Sequence, residues 1–335
     1  MTDKILAIDI GGTFIKYGLI RDHLKIDQLD KIHTPKSMTD FENSLNRIIS
    51  YFSDIKGIAI SCTGEINKQT GLVLKGGLIT YLYHYPLGKK LTEIFHLPVT
   101  VINDADAAAL AEGIHGNLRE VNCGAALVLG SGVGGALTCQ GDIFSLKQLF
   151  LEQLFSQKVT EIEKTPVDQG RILKIYKHDL ISLINNQGSA VNFITSASQL
   201  LDMPKPDGKA VFQVLEEGKD HGVSRLFEDY CKEITYLILG LQALTPLNKV
   251  VIGGGISSQP LLIQEINRQY QVLLNEEAQY NQVFKEIPIQ ACYYQNDSNL
   301  LGAYCHFEKQ INETTKVNTF FQDLSDILGL DILKP

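Results

Sequence analysis

Nothing in this chain approaches the roughly 18 uninterrupted apolar residues of a membrane-spanning helix, so the sequence predicts no passage through a bilayer. The opening residues, MTDKILAIDIGG, hold only a short apolar run broken by Asp9, which matches neither a secretory signal nor a transit peptide. The six cysteines (62, 123, 139, 231, 292 and 305) show no CxxC spacing, and the eight histidines are equally scattered. That pattern excludes a Cys/His zinc cluster and predicts free thiols in a reducing cytoplasm. The net charge of −8 over 335 residues is mild and argues against nucleic acid as the main partner. No short-period repeat is present, which excludes a solenoid.

What remains is a globular composition, 44% hydrophobic and 20% charged, long enough for two domains with separate cores. KILAIDI (4–10) and FIKYGLI (14–20) read as strands joined by Gly11-Gly12-Thr13. Phe41, Leu45, Ile48, Ile49 and Phe52 recur at helical spacing over 40–53. GIAISC (57–62) reads as a buried strand, a glycine-punctuated stretch runs to about 80, and a helix follows at 87–96. A strand is expected at 99–102 and an alanine-rich helix at 105–115. The pattern then restarts: strand 124–130, the glycine turn SGVGG, and a returning strand ALTC. Later come a long helix at 220–244, strand 249–253, another helix after GGISS, a strand within 286–296 and a helix at 298–310. Residues 142–205 have no clear pattern. Two halves that both open strand, glycine turn, strand predict an α/β protein of two related lobes with a cleft between them.

Four short stretches carry candidate chemistry. In VINDADAAALAEG (101–113) a β-branched run stops at Asn103, and Asp104 and Asp106 begin a helix. Asn103 is a competent N-cap, and an aspartate in the first turn is favoured by the helix dipole; a catalytic base is the alternative reading. DIGGT (Asp9–Thr13) lies between strands. Its glycines let backbone N–H groups approach a phosphate, Thr13 adds a hydroxyl, and Asp9 suits a hydrated Mg²⁺; an ordinary hairpin turn would read the same. GSGVGG (Gly130–Gly135) has more glycine than a hairpin requires. GGGIS (Gly253–Ser257) is either a strand-to-helix turn capped by Ser257 or Ser258 or a flat surface for an adenine or ribose.

These pieces in this order resemble the sugar-kinase branch of the actin/Hsp70-like ATPase (ribonuclease H-like) fold, and within it the ROK family (repressors, open reading frames and kinases). The matching stretches are LAIDIGGTFIKYGLI, GIAISCTGEINKQTG, LPVTVINDADAAALAE, VLGSGVGGAL, VVIGGGIS and, more loosely, NDSNLLGA. The resemblance implies that Asp104 is the catalytic base, held ionised by a low pKa at the helix terminus, and that Asp106 only starts the helix. It implies that Asn103, Asp104 and Gly64 bind the acceptor sugar and that Asp9 orients Mg²⁺, through water. Gly11, Gly12, Thr13, Gly130, Ser131, Gly132 and Gly134 would surround the ATP phosphates, and Gly253, Gly254 and Gly255 would face the adenosine. The implied lobes are 1–118, joined by the helix near 298–310, and 119–297, followed by a tail at 311–335.

The chain departs from the family's pattern in three places. The CxCGxxGCxE zinc motif and the GExGH sugar element are both missing, so no zinc site is expected. The family's sugar-binding glutamate would fall within SLKQLFLEQLFSQ (145–157), on Gln153 by counting, with Glu152 one residue away. Glu152 is either that glutamate after a one-residue slip or a plain helical surface acid. The family's Pro-Gly turn reads Thr63-Gly64 and its GTG reads Gly130-Ser131-Gly132, where serine keeps the hydroxyl. The expected activity is ATP- and Mg²⁺-dependent phosphorylation of the primary (C6) hydroxyl of a hexose. Glucose-like sugars, aminohexoses such as N-acetylmannosamine, and β-glucosides are all open as acceptors. A catalytically weak sugar sensor is the alternative, and a DNA-binding repressor is disfavoured because only eight residues precede Asp9. A cytoplasmic homodimer is expected; the apolar 146–155 run suits either a core or an interface, and an interface helix is the preferred reading.

Overall fold

The computed structural model describes residues 4–21, 24–139, 142–146, 188–276 and 284–312. It forms two compact units, one from Met1–Ala107 with Asn299–Pro335 and one from Ala108–Ser298.

The first unit is built on a five-stranded sheet. β1 (Lys4–Ile10) pairs antiparallel with β2 (Phe14–Ile20), and β2 antiparallel with β3 (Ile26–His33). On its other side β1 pairs parallel with β4 (Ile55–Cys62), and β4 parallel with β7 (Val99–Asn103), giving the order β3-β2-β1-β4-β7. β1 and β4 are almost wholly buried, as a sheet covered on both faces demands, which is why both read as apolar runs without alternation. α1 (Met38–Tyr51) covers one face with Phe41, Leu45, Ile48 and Ile49. Burying each such side chain contributes about 1.5–3 kcal/mol. Its N-cap is Ser37, whose Oγ accepts from Asp40 N–H at 3.2 Å. A small hairpin, β5 (Glu65–Asn67) and β6 (Leu72–Lys75), and α2 (Leu87–Phe95) complete this layer. α3 (Asp104–Ile114) leaves the end of β7.

The second unit repeats the arrangement. β8 (Cys123–Leu129), β9 (Val133–Cys139) and β10 (Asp142–Ser145) form an antiparallel meander. β11 (Lys249–Gly254) and β12 (Ile289–Ala291) continue it in parallel, in the order β10-β9-β8-β11-β12. Each strand has its counterpart in the first sheet, with the same sequence of antiparallel and parallel neighbours. α4 (Ala190–Leu200), α5 (Gly208–Glu217), α6 (His221–Leu244) and α7 (Pro260–Glu276) supply the helices. Phe193, Phe212, Phe227 and Tyr230 pack ring on ring in its core. The last described helix, α8, covers residues 298–312. It packs on the first unit so tightly that a Cβ on Gly57 would meet the Phe307 ring at 2.2 Å.

Most expected elements are present within a few residues. Six of the described elements were not foreseen: β3, β5, β6, β10, α4 and α5. One local expectation is corrected. Neither Ser257 nor Ser258 stands at the N-cap of α7, since the residue before the helix is Gln259, and the Ser257 hydroxyl donates to Gly254 O at 2.8 Å. The helix instead starts on Pro260, whose fixed φ suits a first helical position.

Candidate active site

Three parallel strands of the first unit, β1, β4 and β7, end side by side. Their registers pair Ile10 with Cys62 and Cys62 with Asn103, so Asp9, Gly64 and the Asn103-Asp104 junction gather at one edge. Asp9 is only 6% exposed, and a carboxylate that buried needs partners. The ladder supplies them: Lys16 is its partner on β2 and Ser61 its partner on β4. Ser61 Oγ donates to Asp9 Oδ1 at 3.0 Å, and Asn299 Nδ2, from the first turn of α8, donates to the same oxygen at 3.2 Å. Burial raises the Asp9 pKa, against the opposing pull of Lys16, Ser61 and Asn299. Both hydrogen bonds fall on Oδ1, which leaves Oδ2 for another ligand. A buried carboxylate with one oxygen uncommitted fits a hydrated divalent cation.

Asn103 does more than start a helix. Its Oδ1 accepts from Ala105 N–H at 2.9 Å and Asp106 N–H at 3.2 Å, the N-cap geometry, while its Nδ2 donates to Gly64 O at 2.6 Å. One amide N–H is left over for an acceptor. Gly64 sits at φ +103°, and a Cβ there would lie 2.0 Å from Lys75 O. Only glycine fits, which is why glycine stays while its proline neighbour of the family pattern is replaced by Thr63.

Asp104 accepts from Ala105 N–H at 2.9 Å. The expectation of a low pKa is overturned. Burial, then the charge of Asp9, push Asp104 up to about 7, and the bonds from Ala105 and Asn103 offset only part of that. Two acids beside each other in a dehydrated corner resist joint ionisation more strongly than the helix terminus favours it. The result is a carboxylate poised near neutrality, where a general base works best. Asp106, expected only to start the helix, is raised as well: burial pushes it up to about 6, and its Oδ1 has no hydrogen-bond partner.

In the Gly11–Thr13 turn, Gly11 N–H donates to Phe14 O at 3.0 Å, and Thr34 Oγ1 donates to Gly11 O at 2.6 Å. The exposed residues of the turn are Gly12 and Thr13. In the second unit, Gly130 N–H donates to Gly132 O at 3.0 Å, closing the turn that bears Ser131, with Gly134 in the following strand. Gly254 pairs with Leu129 across β11 and β8. The two glycine turns therefore lie side by side at the ends of neighbouring parallel strands. Gly254 has φ +99°, and a Cβ would lie 2.1 Å from Leu129 O; nothing lies within 4 Å of a Cβ on Gly255. Gly253 is held closer, with Cys292 Sγ 3.0 Å from its Cβ position.

Ser61, Asn299 and Ser189 were missed by sequence reasoning. Ser61 was visible as the one hydroxyl in an apolar strand. Asn299 lay inside the loosely matched NDSNLLGA. Ser189 caps α4 and reaches Gly130 O at 3.5 Å, and α4 itself had no recognisable signal. Glu152 and the expected interface helix at 146–155 lie outside the described residues, apart from Leu146. Among the described residues no group of three or more His, Cys, Asp or Glu could hold a metal ion, and no helix is long and apolar enough to cross a membrane.

A family model described as the ROK family matches residues 5–145 and 192–310. The chain belongs to the ROK family. Its two repeated sheets are thus the lobes of the actin-like ATPase fold. Among ROK relatives, the N-acetylmannosamine kinase of Salmonella typhimurium is 28% identical over 302 residues, 89% of this chain and 96% of the relative. A ROK family protein of Streptococcus pneumoniae, solved in complex with sucrose, is 25% identical, with a TM-score of 0.70 over 92% of this chain and 99% of that one. A ROK family glucokinase of Streptomyces griseus, solved with glucose and AMPPNP, shares the fold at 19% identity, with a TM-score of 0.65 over 90% and 97% of the two chains.

Proposed function

We propose that this ROK protein is an ATP-dependent sugar kinase that phosphorylates the primary (C6) hydroxyl of a hexose or aminohexose, with Asp104 as the base. The observation that carries the reading is the Asp104 carboxylate, raised to about 7 beside Asp9 at the end of three parallel strands. N-acetylmannosamine is the first acceptor to try, since the Salmonella relative named for that activity matches nearly the whole chain. Glucose-like sugars come next.

In this reading Asp104 takes the proton of the sugar hydroxyl as its oxygen attacks the γ-phosphate. Asn103 offers its remaining amide N–H to the sugar, and Gly64, fixed by the Asn103 bond, shapes the floor. Glu152 is proposed as a further sugar contact. Gly12 and Thr13 offer donors to phosphate oxygens at the turn that Gly11 closes. Gly130, Ser131, Gly132 and Gly134 cradle phosphates, and Gly253 to Gly255 accept the adenosine. Asp9 would hold Mg²⁺ through water on Oδ2; the cation supplies charge neutralisation for the transferred phosphoryl group. The six cysteines are free thiols, in keeping with a cytoplasmic protein, and a homodimer is proposed, to be checked by sedimentation.

The test is coupled ADP release with Mg-ATP against N-acetylmannosamine, N-acetylglucosamine, glucose, mannose, fructose and cellobiose, run beside Asp104→Asn. Sugar-dependent turnover that falls by about 10²–10⁴ in the variant supports the reading and names the acceptor. Intact ATP binding without turnover on any sugar would overturn it in favour of a sugar sensor.

A further inference from the structure

Cys123 opens β8 and Cys139 closes β9, and the two face each other across the antiparallel ladder. Asn248 reveals which kind of facing pair they form. Cys123 N–H donates to Asn248 Oδ1 at 3.1 Å, and Cys123 O accepts from Asn248 N–H at 2.8 Å. Both backbone groups of Cys123 therefore turn away from β9. The pair is of the non-hydrogen-bonded type, in which facing Cα atoms approach to about 4.5 Å and side chains come closest. A disulfide requires Cα atoms roughly 4.4–6.8 Å apart with converging Cβ atoms. Facing residues also project from the same side of a sheet, here onto the rim of the second unit's core. Cys123 is buried there, and Cys139 is partly exposed and packs on that core. The other four cysteines are buried, and none faces a cysteine in a described strand pair.

We propose that Cys123 and Cys139 are a modification site, where hydrogen peroxide converts the two thiols into a reversible intramolecular disulfide. The Cys139 thiolate, which solvent reaches, attacks one peroxide oxygen; the O–O bond breaks and the departing hydroxide leaves as water once protonated. Cys139 is then a sulfenic acid. The Cys123 sulfur attacks it, the S–S bond forms, and the second oxygen leaves as water with the Cys123 proton. Two thiols and one peroxide give one disulfide and two waters, with sulfur oxidised and peroxide reduced. Burial and the facing Cys139 sulfur push the Cys123 thiol up to about 12, so the more exposed Cys139, and not Cys123, makes the first attack. The bridge spans the open end of the β8–β9 hairpin, whose tip is the Gly130–Gly132 turn.

The experiment treats the full chain with graded hydrogen peroxide, alkylates the remaining thiols and maps peptides by mass spectrometry. It is independent of kinase activity. The expected result is a linked peptide pair containing Cys123 and Cys139, an intact mass lower by two hydrogens, and complete reversal by dithiothreitol. In Cys123→Ser the linked pair should vanish and Cys139 should be trapped by dimedone as sulfenic acid. Should that variant not fold, Cys139→Ser at the more exposed position should likewise abolish the link. The proposal fails if Cys139 stays fully alkylatable at peroxide doses that oxidise free glutathione completely. It also fails if Cys139 is over-oxidised while Cys123 keeps its thiol, or if Cys139 links only between chains.

Discussion

Two aspartates only two residues apart show how burial assigns roles that sequence leaves open. Asp104 and Asp106 both begin α3, both lie in a low-dielectric corner, and both are raised, to about 7 and about 6. Only Asp104 senses Asp9. The base must be ionised to accept a proton, so kcat/KM should climb as pH rises toward about 7 and level off above it. A flat profile from pH 5 to 8 would remove Asp104 from that role. Asp106 makes a different prediction. Its folded pKa lies above the 3.8 of an unperturbed aspartate, so ionising it opposes folding. That penalty is absent below pH 3.8, grows as pH rises to about 6, and is constant beyond. Asp106→Asn should therefore raise stability by about 1–2 kcal/mol at pH 7.5, the full shift of about 3 kcal/mol being reduced because solvent reaches part of the side chain. Near pH 4 the gain should nearly vanish. Thermal melts at the two pH values decide it, and equal gains at both would contradict the burial argument.

At the scale of elements, the site depends on junctions more than on the elements they join. The N-cap of α3 is tied to the turn after β4 through one side chain, Asn103, which holds two helix N–H groups and Gly64 O together. Asn103→Ala should cost about 1–2 kcal/mol as a lost cap, and it should also raise the sugar KM because Gly64 is released. Asn103→Asp keeps the cap but sets a carboxylate against the Gly64 carbonyl. It should recover most of the stability without recovering KM; recovery of both would show that the Gly64 link is idle. Helix packing offers a second case. A Cβ on Gly302 of α8 would lie 1.8 Å from Ala107 O, and no rotamer relieves a clash with backbone. Gly302→Ala should lower stability by about 1–3 kcal/mol or more, read from the urea midpoint at unchanged m-value.

At the scale of the molecule, the first unit is discontinuous in sequence. Its sheet comes from the first hundred residues, yet α8 supplies Asn299 to Asp9, Phe307 to the space over Gly57, and Gln310, whose Nε2 donates to Lys68 O at 2.9 Å. A chain ended before residue 298 should lose the first unit's cooperative fold while the contiguous second unit keeps a protease-resistant core. Limited proteolysis that left residues 4–107 as resistant as in the full chain would refute this. For the complete chain, Mg-ATP at about 100 times its Kd should add about 2.7 kcal/mol of stability, seen as a rise in Tm that Asp9→Asn reduces.

By itself the sequence determined the parallel strands, the long helices and the order of the glycine turns, because buried strands and amphipathic helices write their own periodicity in apolar residues. It also marked Asp9, Asn103 and Asp104, since polar groups interrupting such runs stand out. Tertiary structure alone decided the rest. β3 (IDQLDKIH) carries charged, largely exposed residues and is a strand only because β2 offers it a free edge. Ser61 and Asn299 became partners of Asp9 only through strand register and the return of α8. The pKa of Asp104 was reversed from the expected direction for the same reason: a helix terminus is a local property legible in the sequence, whereas the burial and the neighbouring charge that outweigh it exist only once distant strands lie side by side.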